Sequence, residues 1–169
     1  MTPATHPMAD LPTSGVGRWC TCRIGDACFA IEAGSVTEVI RGGRIVPVPL
    51  APQGVRGLVH LRGSIVPIID LADRLGLPPA RDGRPETHLV VTIQQDLYGL
   101  AVDEVLDVVD VPAGRIEHPT DAALSHEALV GVFAEPHRLV HLLDPERMIQ
   151  SLVRPRTVTH PRPGATHGG

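Results

Sequence analysis

The chain has 169 residues and a formal net charge of −4 with no block of like charges, so the electrostatic footprint expected of a nucleic-acid binder is missing. Apolar residues make up 43% but aromatics only 2%, and there are 17 Gly and 17 Pro, so Val, Leu, Ile and Ala must fill the core of many short strands joined by tight turns. No apolar run reaches the roughly 20 residues that span a bilayer, and three cysteines suit a reducing cytoplasm better than a disulfide scaffold.

Taken in order, Met1–Gly15 is rich in Pro, Thr and small residues, lacks the basic and apolar regions of a signal peptide, and reads as a disordered tail. Folded structure is expected over 16–152. Arg18–Ile31 reads as a hairpin turning at Gly25-Asp26, and Ala33–Ile40 as a short turn and a strand that continues through Arg44–Pro49. The stretch Gly57–Leu77, GLVHLRGSIVPIIDLADRLGL, orders the chain. It alternates through Leu61, turns at Gly63, the residue with free access to positive φ, and runs on through the continuous apolar strand Ile65–Ile69. Pro67 cannot donate to a ladder, which predicts an edge strand or a bulge. Asp70 is placed to cap a short helix, Leu71–Leu75, that Gly76 ends. Pro78–Glu86 is a loop, and Thr87–Ile93 and Leu97–Val102 form a hairpin about Gln94-Gln95. Residues 153–169 form a Pro/Gly-rich tail.

The second half repeats the first. Ile24, Phe29, Ile31, Val36 and Val39 fall on Ile93, Tyr98, Leu100, Val105 and Val108 (93 − 24 = 69). Gly57, Val66, Ile68, Asp70 and Leu75 fall on Gly131, Val140, Leu142, Asp144 and Ile149 (131 − 57 = 74). Two copies of one all-β unit of some five strands suggest two small barrels, roughly 18–77 and 87–150, with strand exchange between them left open. Each copy is near the size limit for independent stability, so the two should share apolar surface.

The repeat also acts as a control, since a residue type found in both copies is more readily architectural. Asp70 and Asp144 correspond and read as helix N-caps rather than paired acid/base carboxylates. Cys20 and Cys22 fall on Leu89 and Val91 and, with Cys28, have no second Cys or His pair at zinc-like spacing, so they read as core and no metal is expected. The nine histidines are scattered, and no G-x-S-x-G, P-loop or G-x-G-x-x-G is present, so neither catalytic site nor cofactor is expected. Glu38, three residues after Ser35, fits a capping box as well as a partner contact, and its counterpart is Asp107. Arg62 differs: its counterpart is Pro136, and it sits among Val59, Leu61, Ile65 and Val66, the makeup of a protein-binding patch.

The segment GLVHLRGSIVPIIDLADRLG resembles the signature hairpin of the CheW family of chemotaxis coupling proteins, and the resemblance runs on through FAIEAGSVTEVIRG, LYGLAVDEVLDVVDV and LVGVFAEPHRLVHLLDPERM. It implies two packed five-stranded SH3-like β-barrels with short helical turns. It also implies a free-standing, non-enzymatic adaptor of the cytoplasm, reaching membranes only through receptors. Its partners would be the chemoreceptor's cytoplasmic hairpin tip and the regulatory domain of a CheA-type histidine kinase, itself built like CheW. Carried over by position, the receptor-facing residues are Val36, Glu38, Gly57, Arg62, Thr87 and Val108, with Glu38 and Arg62 expected to meet as an ion pair. Thr87 stands where an aliphatic residue is more usual, and His60 where Asn is. The other classes are an SH3- or OB-like peptide-binding module of another two-component signalling system, and a small hydrolase, for which no catalytic set is present.

Overall fold

The computed structural model describes residues 14–78, 86–118 and 126–153. The expected tails fall mainly outside these residues, as does most of the loop Pro78–Glu86. The first half runs β1 (Val16–Ile24), β2 (Ala27–Glu32), β3 (Val36–Arg41), β4 (Val55–Leu61), β5 (Ser64–Asp70) and α1 (Leu71–Leu75). The second runs β6 (Thr87–Ile93), β7 (Asp96–Val102), β8 (Glu104–Pro112), β9 (Leu129–Glu135), β10 (Arg138–Leu143) and α2 (Pro145–Val153). The repeat is therefore structural: β7 starts 69 residues after β2 (96 − 27), and β9, β10 and α2 start 74 after β4, β5 and α1 (129 − 55, 138 − 64, 145 − 71).

The two five-stranded sheets do not divide the chain at its middle. One has the order β8-β1-β2-β10-β9, the other β3-β6-β7-β5-β4. In terms of the repeat both orders are the same, and in each the central hairpin comes from the opposite half. The hairpin β1–β2 completes the sheet of β8, β9 and β10, while β6–β7 completes that of β3, β4 and β5. In both, β2 or β7 pairs in parallel with the final strand of its adopted sheet, as in Leu142↔Ala30 and Ile69↔Leu100. The chain between the flanking strands closes each curled sheet by one bridge, Val46↔Leu58 and Glu117↔Val132.

Exchange explains the apolar runs of the two hairpins, because their strands are covered on both faces. One face forms the shared core: Cys20, Cys22, Phe29 and Ile31 against Leu89, Val91, Leu100 and Val102, joined by Leu71 and Met148 from the helices. The other faces fill the two sheet interiors, Trp19, Phe133, Val140 and Leu142 in one and Val59, Val66, Ile68 and Ala101 in the other. The cysteines are free and buried, as core residues. Burial pushes the Cys22 thiol well above its usual range.

Four local expectations need correcting. Arg44–Pro49 is no strand beyond the single Val46 bridge, since β3 ends at Arg41 and Gly42 and Gly43 take positive φ. Ile65 is 66% exposed, so the apolar run of β5 is covered on both faces only from Val66 onwards. Pro67 lies on an internal strand, and the bulge lies opposite, at Arg56 of β4. The missing N–H costs nothing there, because the ladder with β7 starts at Ile68 and the N–H and C=O of Leu58, its partner in β4, both bond Val46 instead. The capping box does not form: Ala33–Ser35 is one 3-10 turn and Glu38 is already inside β3.

Candidate functional site

β3 and β4 are the outer strands of their sheet, and the curl brings them together. Leu61 pairs with Ser64, leaving Arg62-Gly63 as a two-residue hairpin loop. Both loop residues have positive φ, +48° and +84°, as a type I′ turn requires. Asn-Gly would suit that turn better, because a left-handed backbone crowds any Cβ and Asn tolerates it best. Arginine at this position is thus unfavourable for the turn itself.

The side chain bridges the seam. Arg62 Nη2 lies 3.2 Å from Glu38 Oε2, with the Arg62 side chain 80% exposed and Glu38 24%. Such a pair contributes about 0–1 kcal/mol to folding. What it does is fix a planar fork of donors, most of them free, on an exposed hairpin tip.

The structure treats the other expected contact residues differently. Val36 lies two residues before Glu38 on β3 and packs partly against the shared core. Thr87 is 5% exposed and pairs with Arg41 and Val102. Gly57 lies on β4 with φ +152°, and a Cβ there would stand 2.4 Å from the Val46 carbonyl oxygen and 2.8 Å from Ile45 Cγ2. Val108, on the outer strand β8 of the other sheet, is 52% exposed. Glu38 and Arg62 are brought into direct contact; Val36 opens the outer strand β3, Thr87 lies on the internal strand β6 beside the other end of β3, and Val108 is on the other sheet.

Asp70 and Asp144 act as caps. Asp70 Oδ1 accepts from the Asp73 N–H at 3.1 Å, and Asp144 Oδ1 from the N–H groups of Glu146 and Arg147 at 2.9 and 3.2 Å. Gly76 ends α1 with φ +68°.

A second cluster escaped the sequence reading. Arg56, in the β4 bulge, donates from Nε to Asp70 Oδ2 at 2.8 Å and also pairs with Glu86. Glu86 Oε2 in turn lies 3.3 Å from Nε2 of the fully buried His88, a contact too skewed for a full hydrogen bond. His88 first, and then Arg56, hold the Glu86 carboxyl below its usual range. His88 fills the place that Trp19 takes in the other copy (88 − 19 = 69), the one sequence signal that could have drawn attention to it. No group of three or more His, Cys, Asp or Glu among the described residues is arranged to hold a metal ion. No described helix is long and apolar enough to cross a membrane.

Comparison with known proteins agrees with this geometry. A CheW-like domain profile matches residues 18–153. The chain belongs to the CheW family. It is 33% identical over 129 residues to a probable chemotaxis protein CheW of Rhizobium etli, covering 75% of this chain and 83% of that protein. It is 30% identical over 141 residues to the chemotaxis protein CheW of Rhizobium meliloti, covering 82% and 91%, and 31% identical over 133 residues to the protein FrzA of Myxococcus xanthus, covering 76% and 82%. The crystal structure of the scaffolding protein TtCheW from Thermoanaerobacter tengcongensis superposes with a TM-score of 0.71 at 22% identity, over 77% of this chain and 90% of that one, which establishes the shared fold. The chain is thus a non-enzymatic adaptor of the chemotaxis type.

Proposed function

We propose that this protein couples the cytoplasmic hairpin tip of a chemoreceptor to the regulatory domain of a CheA-type histidine kinase, in a cytoplasmic array held at the membrane only through the receptors. The observation that carries the receptor side is the Arg62–Glu38 pair. An arginine that the other copy lacks occupies a left-handed turn position, stays largely exposed, and is held by a carboxylate across the sheet seam. Those features suit recognition better than they suit the fold.

The six carried-over residues then divide by what they can do. Arg62, Glu38 and Val108 offer side chains to a partner, and Val36 offers an edge. Gly57, which has no side chain, and Thr87, which is buried, would act through the shape of β4 and β6. The test is a double-mutant cycle on receptor binding. Arg62→Ala should weaken binding more than Glu38→Ala, and the double variant should lose less than the sum of the two. Strictly additive losses would show that the two residues do not act as a unit. Unchanged binding by Arg62→Ala would remove Arg62 from the site.

A further inference from the structure

Where β4 begins, an open cleft of about 270 Å³ lies between that strand and α1. Val55, Ala72 and Leu77 give it apolar walls, and Arg56, Asp70 and Asp73 supply its charged groups. Arg56 is already shared between Asp70 and Glu86. Asp73 is different. The cap of α1 uses its N–H, and its exposed carboxylate pairs with no cation among the described residues. The last helix of the chain ends against the same cleft. Leu152 Cδ2 lies 3.5 Å from where a Cβ on Gly54, another lining residue, would stand, and Arg74 of α1 donates to Ser151 Oγ of α2.

The chain continues for 16 residues past Val153 (169 − 153 = 16), and they hold Arg154, Arg156 and Arg162, three prolines and no Asp, Glu or Lys. The rest of the chain is correspondingly acidic, with 12 Lys and Arg (15 − 3) against 19 Asp and Glu, a net −7 where the whole has −4. Pro155 works against any continuation of α2 through Arg154. Arg154-Pro155-Arg156 pairs an apolar ring with a cation on either side, which matches apolar walls beside an unpaired carboxylate. Tethering decides the occupant. A segment that starts at the cleft is present there at an effective concentration in the millimolar range, well above that of a free basic peptide or of another molecule's tail.

We propose that the cleft between β4 and α1 is the seat of the chain's own C-terminal segment, Pro155 packing on Val55, Ala72 and Leu77 while Arg156 pairs with Asp73. Three residues of extended chain span about 10 Å, so Arg156 reaches Asp73 without unwinding α2. The segment straps α2 to α1, two helices from opposite halves that Arg74 and Ser151 already join. An exposed ion pair and one proline ring make a weak contact, which salt screens and tethering keeps populated. The Arg62 turn lies at the far end of β4 and stays free. The inference therefore stands apart from the receptor reading, and its test needs no receptor.

The experiment is paramagnetic relaxation on the full chain, with a nitroxide on Thr159→Cys. The three native cysteines are buried, which directs the label to the new thiol. At low salt the amide signals of Val55, Ala72, Asp73 and Leu77 should be lost while that of Val108, on the other sheet, keeps its intensity. High salt should bring the lost signals back, and so should Arg156→Glu or Asp73→Arg, neither of which touches the core. Combining Arg156→Glu with Asp73→Arg should bleach them again, because the pair is reversed rather than removed. Bleaching spread evenly over the surface, or bleaching at the cleft that ignores these charges, would overturn the proposal. So would bleaching that needs spin-labelled and isotope-labelled molecules to be mixed, since the occupant would then be the tail of a second copy.

Discussion

Replacing Arg62 by Asn separates the turn from the ion pair. Two effects on stability oppose each other. Loss of the Glu38 contact costs about 0–1 kcal/mol, given that the arginine is 80% exposed. Asn relieves part of the roughly 1–2 kcal/mol that a left-handed backbone costs a residue with a Cβ and a long side chain. The net change is about 1 kcal/mol or less, of either sign, which moves the melting temperature by roughly 4 °C at this chain length. Binding should respond on another scale. Truncation of an interface arginine costs about 2 kcal/mol or more, close to 30-fold in Kd. Calorimetric titration of a chemoreceptor signalling fragment, with thermal melts on the same samples, reads both quantities. Arg62→Ala keeps the turn strain and loses the pair, so it should melt below Arg62→Asn while binding equally poorly. A melting temperature lowered by ten degrees or more with unchanged Kd would show that the pair serves the fold and would refute the reasoning.

Gly57→Ala should be among the most damaging single-atom changes, because the new methyl meets the Val46 carbonyl at 2.4 Å; a loss of about 2–3 kcal/mol is expected by denaturant titration, and a near-neutral result would mean that the Val46 bridge is not where the structure places it. Stability should fall on the acid side in two stages. Burial holds the His141 imidazole below its ordinary 6.5, so the unfolded chain takes up that proton first and stability drops as pH falls below about 6.5. The Glu86 carboxyl is held below its ordinary 4.5 by His88 and Arg56, so its contribution is complete above about 4.5 and is lost as pH falls further. His141→Leu should abolish the first stage in a stability–pH curve, and a superimposable curve would count against it. Fragments 14–78 and 79–153 should each be unfolded alone by amide spectra and fold when mixed, because each sheet takes its central hairpin from the opposite half; a folded 14–78 fragment would contradict the exchange.

The element order was largely legible in the sequence because the repeat is carried by apolar spacing, and the 69- and 74-residue offsets place strand on strand. Sheet membership was not, since β1–β2 has the same apolar pattern whichever sheet adopts it. Arg44–Pro49 looked like strand from its Val-Pro-Val alternation, but two positive-φ glycines end β3 first and the prolines leave little to pair. Ile65 looked buried because a continuous apolar run conceals which of its members faces solvent. The Glu38–Arg62 contact came from family position; no local spacing joins residues on β3 and β4. The Arg56–Asp70–Glu86–His88 cluster was missed because its members come from β4, β5, β6 and the residue just before β6, and only the Trp19–His88 mismatch between the copies marks it.

The central claim is that this adaptor makes a kinase answer to a receptor through the Arg62 face. Its most direct test is reconstitution: autophosphorylation of a CheA-type kinase with a chemoreceptor signalling fragment, with and without this protein. The kinase should respond to the receptor only when the protein is present, and Arg62→Ala, folded and at the same concentration, should leave the kinase at its basal rate. Receptor control of the kinase that is equal without the protein, or equal with Arg62→Ala, would contradict the account.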